Sequence, residues 1–440
     1  MTMAGEPTVE VRLRGRRIGA AARADGDSYV TFEYDPDFAR SGIEVSPIVM
    51  PLANRNYRFP DLSLNTFNGL PGMLADSLPD KFGNALIDAW LARRGRTPES
   101  FSALERLCYT GTRGMGALEF HPVKGPRANT STQLRIDQLV RLASEILARR
   151  NGLSTSFSPS AKEKAMADIL RVGTSAGGSR AKAVIAWNPE TNEIRSGQIK
   201  THPGFGYWLI KFDGVSGNRD KDASDPVGYG AVEYAYYLMA KEAGIEMSDC
   251  QLFEENGYRH FMTRRFDRLD GGEKLHMQSL CALAHFDFNL PGAYSYEQAF
   301  LVIRQLGLGM RAIEQMFRRM SFNIVARNQD DHTKNIAFLM DKSGTWSLAP
   351  AFDVMYGYNP GGAWTSTHQM TMNGKRSDFS LADFRECARA AGLKQGEGES
   401  ILSDVIATVS KWRSFAGSVR VDERLTDKIQ PVLKLEFPRK

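Results

Sequence analysis

Cysteine is scarce in this chain and follows no metal-binding pattern. The four cysteines among the 440 residues, Cys108, Cys250, Cys281 and Cys387, lie far apart, and none belongs to a Cys-x-x-Cys pair. This spacing excludes the usual zinc sites, and four scattered cysteines in so long a chain argue against a disulfide framework. We therefore expect a reducing compartment and predict a cytoplasmic location.

Long apolar runs are also missing. The sequence contains no stretch of 18 apolar residues, and residues 1–7 lack the apolar segment of a secretion signal. These absences predict a soluble chain that is not exported and has no membrane partner. The net charge of +5 is mild, so charge by itself does not indicate a nucleic-acid partner.

The hydrophobic pattern changes along the chain from strand-like to helical. Val9, Val11 and Leu13 alternate with charged residues, and the segment 28–34 is also strand-like, which predicts a small antiparallel sheet at the start. Helical periodicity dominates residues 296–327, apart from a glycine break. Because 440 residues exceed the usual size of one core, we predict an α+β fold in two or three subdomains, with a candidate boundary at the polar stretch 124–132.

The most informative motif combines Asp330, Asn335 and Asp353, with a predicted strand at 336–340 between the last two. This is the layout of phosphoryl-transfer enzymes, in which one carboxylate orients the attacking hydroxyl. The Asn and the second Asp supply the hard oxygen ligands that Mg²⁺ requires. Asp and Asn are also ordinary turn residues, but their conjunction at this spacing favours a site. We predict Asp330 as the catalytic residue and Asn335 and Asp353 as metal ligands.

A glycine-rich segment at 173–182 lies between two predicted strands, 169–172 and 183–187. It is neither a Walker A loop nor a strict G-x-G-x-x-G sequence, and a simple hairpin turn is an equally good interpretation on its own. Lys211, on the predicted strand 207–212, favours a phosphate site, because it can reach the phosphates of ATP. Glu233 on the next predicted helix can hold that lysine. A solvated helix carboxylate remains an equal alternative for Glu233.

Several of these motifs, in order, resemble the HipA family of bacterial toxin–antitoxin serine/threonine kinases. The resemblance rests on segments 175–182, 209–211, 265–268, 330–335 and 350–353, while 74–80 and 111–118 resemble the family's N-terminal subdomain. It covers essentially the whole chain. It implies a phosphatidylinositol-kinase-like core with an N-terminal β-rich subdomain (8–125), a nucleotide-binding lobe (133–268) and a helical C-terminal lobe (269–435).

The resemblance also implies roles for individual residues. Ser175 falls at the family's autophosphorylated position, with Thr174 as an alternative, and a phosphate there would add about −2 charge and switch the enzyme off. Segment 264–266 would form the hinge around adenine. His332 is interpreted as a hydrogen-bonding loop residue near ATP and not as a metal ligand. The ATP-binding residues expected are Ala176, Gly177, Gly178, Ser179, Arg180, Lys211, Arg264, Phe266, His332, Asn335 and Asp353.

Two departures from kinase patterns limit what can be transferred. Val354 follows Asp353, so the Asp-Phe-Gly layout of protein kinases is absent, and Arg264 stands where the best-studied type of family member has an acidic residue. Family members phosphorylate aminoacyl-tRNA synthetases and are held by a HipB-like helix-turn-helix antitoxin that binds operator DNA. We expect a substrate and a partner of these kinds, with DNA contacted only through the antitoxin.

Three other functions fit part of the same residue set. One is a small-molecule or lipid kinase on the same core. Another is a metal-dependent hydrolase that uses Asp330, Asp331, His332 and Asp353 without ATP. The third is a co-repressor that acts through an antitoxin with little or no catalysis. The leading hypothesis is an ATP- and Mg²⁺-dependent protein serine/threonine kinase.

Overall fold

The computed structural model describes residues 6–126, 133–148, 159–174, 180–197, 203–215, 219–220, 223–224, 227–269 and 271–439. The N-terminal part is built on a five-stranded antiparallel sheet. Its strands are β1 (Val9–Leu13), β2 (Arg16–Ala22), β3 (Thr31–Tyr34), β4 (Asn56–Tyr57) and β5 (Leu118–His121), in the spatial order β4-β3-β2-β1-β5. The predicted sheet is confirmed, and Val9, Val11 and Leu13 point into its core as their alternation required.

Short helices connect this sheet to the rest of the chain. They are α1 (Pro36–Ala39), α2 (Leu64–Phe67), α3 (Gly72–Ala75), α4 (Lys81–Ala92) and α5 (Ala103–Thr110). Asp80 begins α4 as its N-cap, because its side chain accepts a hydrogen bond from the Gly83 amide. Phe82 and Leu86 on α4 belong to the core beneath the second sheet. The N-terminal part therefore reaches into the nucleotide-binding region predicted from the sequence.

The second sheet is antiparallel and has the five strands β6 (Lys182–Asn188), β7 (Glu193–Ser196), β8 (Gly206–Lys211), β11 (Cys250–Glu255) and β12 (Tyr258–Arg264). Their spatial order is β11-β12-β8-β6-β7, and the two-residue strands β9 (Arg219–Asp220) and β10 (Ala223–Ser224) pair with each other. Two helices, α6 (Ile136–Ala148) and α7 (Pro159–Gly173), precede the sheet, and α8 (Tyr229–Glu242) follows β10.

The predicted strand at 169–172 is wrong, because these residues form the end of helix α7. Ile169, Leu170 and Val172 are all buried. A run of four mostly apolar residues is compatible with a buried strand or with the buried end of a helix, and only packing decides between the two. Here the run packs in the core with Phe82 and Leu86 of α4.

The C-terminal part combines a small sheet with helices. Strands β13 (His276–Ser279), β14 (Ala337–Met340) and β15 (Trp346–Leu348) form an antiparallel sheet in that order. The helices are α9 (Leu280–Ala284), α10 (Tyr296–Gln305), α11 (Met310–Val325), α12 (Leu381–Ala391), α13 (Glu397–Val409), α14 (Trp412–Ser418) and α15 (Glu423–Ile429), with 3₁₀ turns at Pro98–Ser100, Thr333–Asn335 and Gln430–Val432. The glycine break in 296–327 is confirmed, since Gly307 has a φ of +71° between α10 and α11.

The mixed α+β class is thus confirmed, while the three domain boundaries stay a prediction. All four cysteines are buried and free. Within the described ranges, no helix has both the length and the apolar character needed to cross a membrane.

Candidate active site

A buried ion-pair cluster lies where β8 ends. The Lys211 ammonium donates to Glu233 Oε1 at 2.5 Å and also to Asp353 Oδ1. Glu233 is 2% exposed in helix α8, so the alternative of a solvated helix carboxylate is excluded. Residues separated by 22 and 142 positions are therefore brought together around one cation.

The charges in this cluster stabilise one another. Burial by itself raises the pKa of Asp353, but the nearby Lys211, Lys182 and Arg180 outweigh burial and hold it at about 2. Burial lowers the pKa of Lys211, but Asp353 and Glu233 raise it above its usual value. Lys211 is therefore cationic, and Asp353 is an ionised carboxylate, near neutral pH.

Arg180 extends the cluster toward the glycine-rich segment. Its Nη1 lies 3.8 Å from Glu233 Oε2, and its guanidinium lies 5.4 Å from the centre of the Tyr229 ring. The predicted residues Ser175, Ala176, Gly177, Gly178 and Ser179 fall outside the described residues, so their roles stay predictions. Arg180 and Lys211 together provide two cationic groups suited to anionic phosphate oxygens.

Asp330 is held by two hydrogen bonds in the loop that follows α11. Its Oδ1 accepts a 2.6 Å hydrogen bond from the Trp364 indole, and its main-chain oxygen accepts one of 2.9 Å from the Asn335 amide. His332 Nε2 lies 3.8 Å from the same Oδ1. The carboxylate side chain nevertheless remains 26% exposed. It is oriented and accessible, as a residue that handles an acceptor hydroxyl must be.

Asp331 is the next residue and has the opposite environment. It is buried, and its carboxylate accepts hydrogen bonds from the Tyr296 hydroxyl and the Gln369 amide, while His368 Nδ1 lies 2.8 Å away. Burial raises its pKa, but His368 and the hydrogen bonds reverse this and lower it below the usual value. Asp331 therefore anchors the loop, and a hydrolase that uses it as a metal ligand is not supported.

Asn335 and Asp353 fit a magnesium ion by their chemistry. Both line one cleft, together with His332 and Phe352. The Asn335 nitrogen donates to the Asp330 main chain, so its amide oxygen is the atom suited to a cation. No group of three or more His, Cys, Asp and Glu side chains in the described ranges is arranged to hold a metal. An Asn–Asp oxygen pair fits Mg²⁺, which takes few protein ligands and completes its shell with phosphate and water.

The predicted hinge follows strand β12. Arg264 is exposed and donates its main-chain amide to Asp249 O at 2.8 Å, whereas Arg265 is buried and its guanidinium donates to both oxygens of Asp267. Phe266 packs against Phe352, with 5.6 Å between the ring centres. This contact links the hinge to the residue before Asp353. Contacts of Arg264 and Phe266 with adenine stay predictions.

No spacing pattern in the sequence indicates the second set of charges that lies near the glycine-rich segment. Lys182 is 2% exposed and its Nζ lies 3.5 Å from Asp80 Oδ2. On the other side of the segment, buried Arg113 donates to the carbonyls of Leu170 and Arg171 and to the Thr174 hydroxyl, each at 3.0 Å. The N-terminal part thus holds Thr174 and Lys182.

Sequence reasoning also missed Trp364, His368 and Gln369. Trp364 is 34 positions from Asp330, and no spacing rule connects an indole to a carboxylate across such a distance. Only folding brings them together.

Two family profiles match the sequence of this chain. Residues 9–121 match the HipA N-terminal domain, and residues 174–412 match the HipA-like C-terminal domain. Among solved structures, one similar fold is a chain of the Shewanella oneidensis MR-1 toxin–antitoxin complex of HipA, HipB and its operator DNA. That match has a TM-score of 0.65 and 16% identity and covers 97% of this chain and 100% of that one.

A second solved structure, the Helicobacter pylori proinflammatory kinase CtkA, is more distant. It is 10% identical, covers 51% of this chain and 91% of its own, and has a TM-score of 0.30, which is too low to support an argument. The two sequence profiles span more than half of the residues, and the Shewanella match extends over the whole fold. This chain therefore belongs to the HipA family and has the mixed α+β, HipA-like kinase fold of that family.

Proposed function

We propose that this protein is an ATP-dependent protein serine/threonine kinase of the HipA toxin type. The observation that supports it most is the buried contact of Lys211 with both Glu233 and Asp353. In this proposal the two carboxylates hold the Lys211 ammonium where it can contact the phosphates of ATP, and the Lys211–Glu233 contact corresponds to the Lys–Glu ion pair of protein kinases.

Each residue of the cluster has a defined task in this proposal. Bound Mg-ATP supplies the phosphoryl group and the metal charge that offsets the negative phosphates. Lys211 binds phosphate oxygens while Glu233 orients its ammonium group. Asn335 and Asp353 would hold the Mg²⁺ ion. Asp330 orients the acceptor hydroxyl and accepts its proton.

The autophosphorylation site that we propose is Ser175, and not Thr174. Thr174 is fully buried, and its hydroxyl donates to Leu170 O at 2.9 Å and accepts from Arg113. A hydroxyl that is used in this way is not presented to a phosphate donor. Phosphate on Ser175 would add about −2 charge to the glycine-rich segment, and in this proposal that charge switches the enzyme off.

The substrate and the partner follow from family membership. We propose an aminoacyl-tRNA synthetase as the phosphorylated protein and a HipB-like helix-turn-helix antitoxin as the partner, through which operator DNA is contacted. The Shewanella complex supports the partner, because it contains HipA, HipB and operator DNA.

Phosphate transfer by the purified chain tests this function. The parent, Asp330→Asn and the matched control Asp404→Asn, whose carboxylate is 63% exposed on α13, are incubated with Mg-ATP and analysed by intact mass and phosphosite mapping. We expect phosphate at Ser175 in the parent and the control and none in Asp330→Asn, which should still be stabilised thermally by ATP. Equal phosphorylation of Asp330→Asn would reject the assignment. ATP binding with phosphate transferred only to a small hydroxyl compound, such as inositol, would favour a small-molecule kinase.

A further inference from the structure

The segment 357–369 lies directly against the loop that carries Asp330. Gly357 donates its amide to Arg327 O at 3.0 Å, and a Cβ at Gly357 would come within 3.3 Å of the Gln329 and Asp330 amides. This position therefore favours glycine, because the two backbones approach so closely. The segment is therefore packed against the backbone of the loop that carries Asp330.

Gln369 fixes the segment to the catalytic loop. Its side-chain amide donates to Trp364 O at 2.5 Å and to Gln329 O at 3.2 Å, and its main-chain amide donates to Asp331 Oδ1 at 2.8 Å. Gln369 is 3% exposed, so these hydrogen bonds are shielded from competing water. Trp364 is consequently held at a fixed place relative to Asp330.

The indole of Trp364 meets the carboxylate that the mechanism uses. Its N–H donates to Asp330 Oδ1 at 2.6 Å, the short length expected of a hydrogen bond to an ionised acceptor. An indole has one donor and no acceptor, so it cannot receive the proton of a hydroxyl. The second torsion of an aspartate side chain is loosely defined without such a contact.

We propose that Trp364 is a positioning residue for phosphoryl transfer, whose indole N–H fixes the orientation in which Asp330 meets the acceptor hydroxyl. This role rests on the proposed kinase function. Asp331 contributes indirectly, because it holds Gln369 and thereby the segment that carries Trp364.

Removing only the N–H tests this role. Trp364→Phe keeps an aromatic ring but cannot donate a hydrogen bond to Asp330. The matched control is Trp346→Phe, in another part of the fold, which removes the 3.0 Å hydrogen bond from a buried indole to Glu44 O. The measurements are the maximal rate of phosphate incorporation and the ATP concentration at half-maximal rate. We expect Trp364→Phe to lower the maximal rate about 10- to 100-fold and to leave the ATP dependence unchanged. The control should keep both values.

A second measurement detects the contact without any turnover. The chain has six tryptophans, and their indole N–H signals are observed by ¹⁵N NMR. The signal that is missing from the spectrum of Trp364→Phe belongs to Trp364. We expect Asp330→Asn to shift this Trp364 signal. If Trp364→Phe transferred phosphate at the parent's rate, the role of Trp364 would be overturned, and the proposed kinase function would stand. If the parent itself transferred no phosphate while the indole responded to Asp330→Asn, the kinase function would be rejected, and the role in transfer with it. If the Trp364 signal did not shift in Asp330→Asn, the hydrogen bond between Trp364 and Asp330, on which the inference depends, would be overturned.

Discussion

Lys182 and Lys211 lie directly opposite each other on strands β6 and β8, so their side chains share one face of the sheet, yet their closest carboxylates lie in different surroundings. Lys211 turns to the cleft and contacts Asp353, whose side chain is 28% exposed. Lys182 turns to the N-terminal part and lies near Asp80, whose side chain is only 4% exposed. The two lysines share a residue type and a register, so their surroundings must account for the difference.

The partner carboxylates show this difference most clearly. Burial raises the pKa of Asp80 to about 6, because Lys182 at 3.5 Å offsets the loss of water only in part. The opposite result holds at Asp353, where three cations outweigh burial and lower the pKa to about 2. The cleft is arranged to keep its carboxylate charged, as metal binding needs. At Asp80, by contrast, the nearby Lys182 does not fully offset the cost of burying an ionised carboxylate.

The largest effect that would sharpen this comparison is expected from Lys211→Met. Phosphoryl transfer should fall at least about 100-fold, because the phosphates lose a preorganised cation. The control is Lys241→Met, an exposed lysine on the same helix as Glu233. Both variants are measured for phosphate incorporation and for thermal stabilisation by ATP. Parent-like transfer by Lys211→Met would remove the functional difference between the two lysines.

A smaller effect, on stability, is expected from Asp80→Asn. The folded pKa of Asp80, about 6, is above the ordinary value of 3.8, so the folded state favours the protonated form. Its contribution to stability is complete below about pH 4 and is lost as the pH rises to about 6. The variant, which keeps an N-cap side chain, should match the parent near pH 4 and exceed its free energy of unfolding by up to about 3 kcal/mol at pH 7. Urea unfolding at both pH values measures this.

Asp353→Asn is the matched contrast to that substitution. The folded pKa of Asp353, about 2, is below 3.8, so ionised Asp353 adds stability that is present above about pH 4 and lost as the pH falls toward 2. This variant should therefore be less stable than the parent at pH 7, by roughly 2 kcal/mol. Stability changes of the same sign in the two variants at pH 7 would break the comparison.

The smallest effect is expected from Thr174→Val, on the side of the N-terminal contact. The variant removes a hydroxyl that exchanges hydrogen bonds with Leu170 O and Arg113, and the free energy of unfolding should fall by about 1 kcal/mol. Phosphate incorporation should persist, whereas Ser175→Ala should abolish it. Phosphosite mapping and urea unfolding measure the two effects. Loss of the phosphate in Thr174→Val alone would assign Thr174 to the chemistry.

Local sequence patterns determined much of this protein. Alternation in 9–13 predicted a strand with the correct buried face. The spacing of Asp330, Asn335 and Asp353 predicted residues that the fold connects, because Asn335 donates a hydrogen bond to Asp330 O and lines one cleft with Asp353. Such patterns succeed because strand periodicity and loop chemistry act over a few residues. The strand predicted at 169–172 failed because a short apolar run has no period of its own.

Tertiary structure alone decided the roles of neighbouring or identical residues. Asp330 and Asp331 are adjacent and chemically identical, yet one is partly exposed beside Trp364 and the other is buried against Tyr296 and His368. Lys182 and Lys211 diverge in the same way. The sequence by itself determined the family, the α+β class and the principal candidate residues. Their burial and their partners arise from contacts between distant parts of the chain, and these set which carboxylate remains charged, which is accessible and which only holds the fold together.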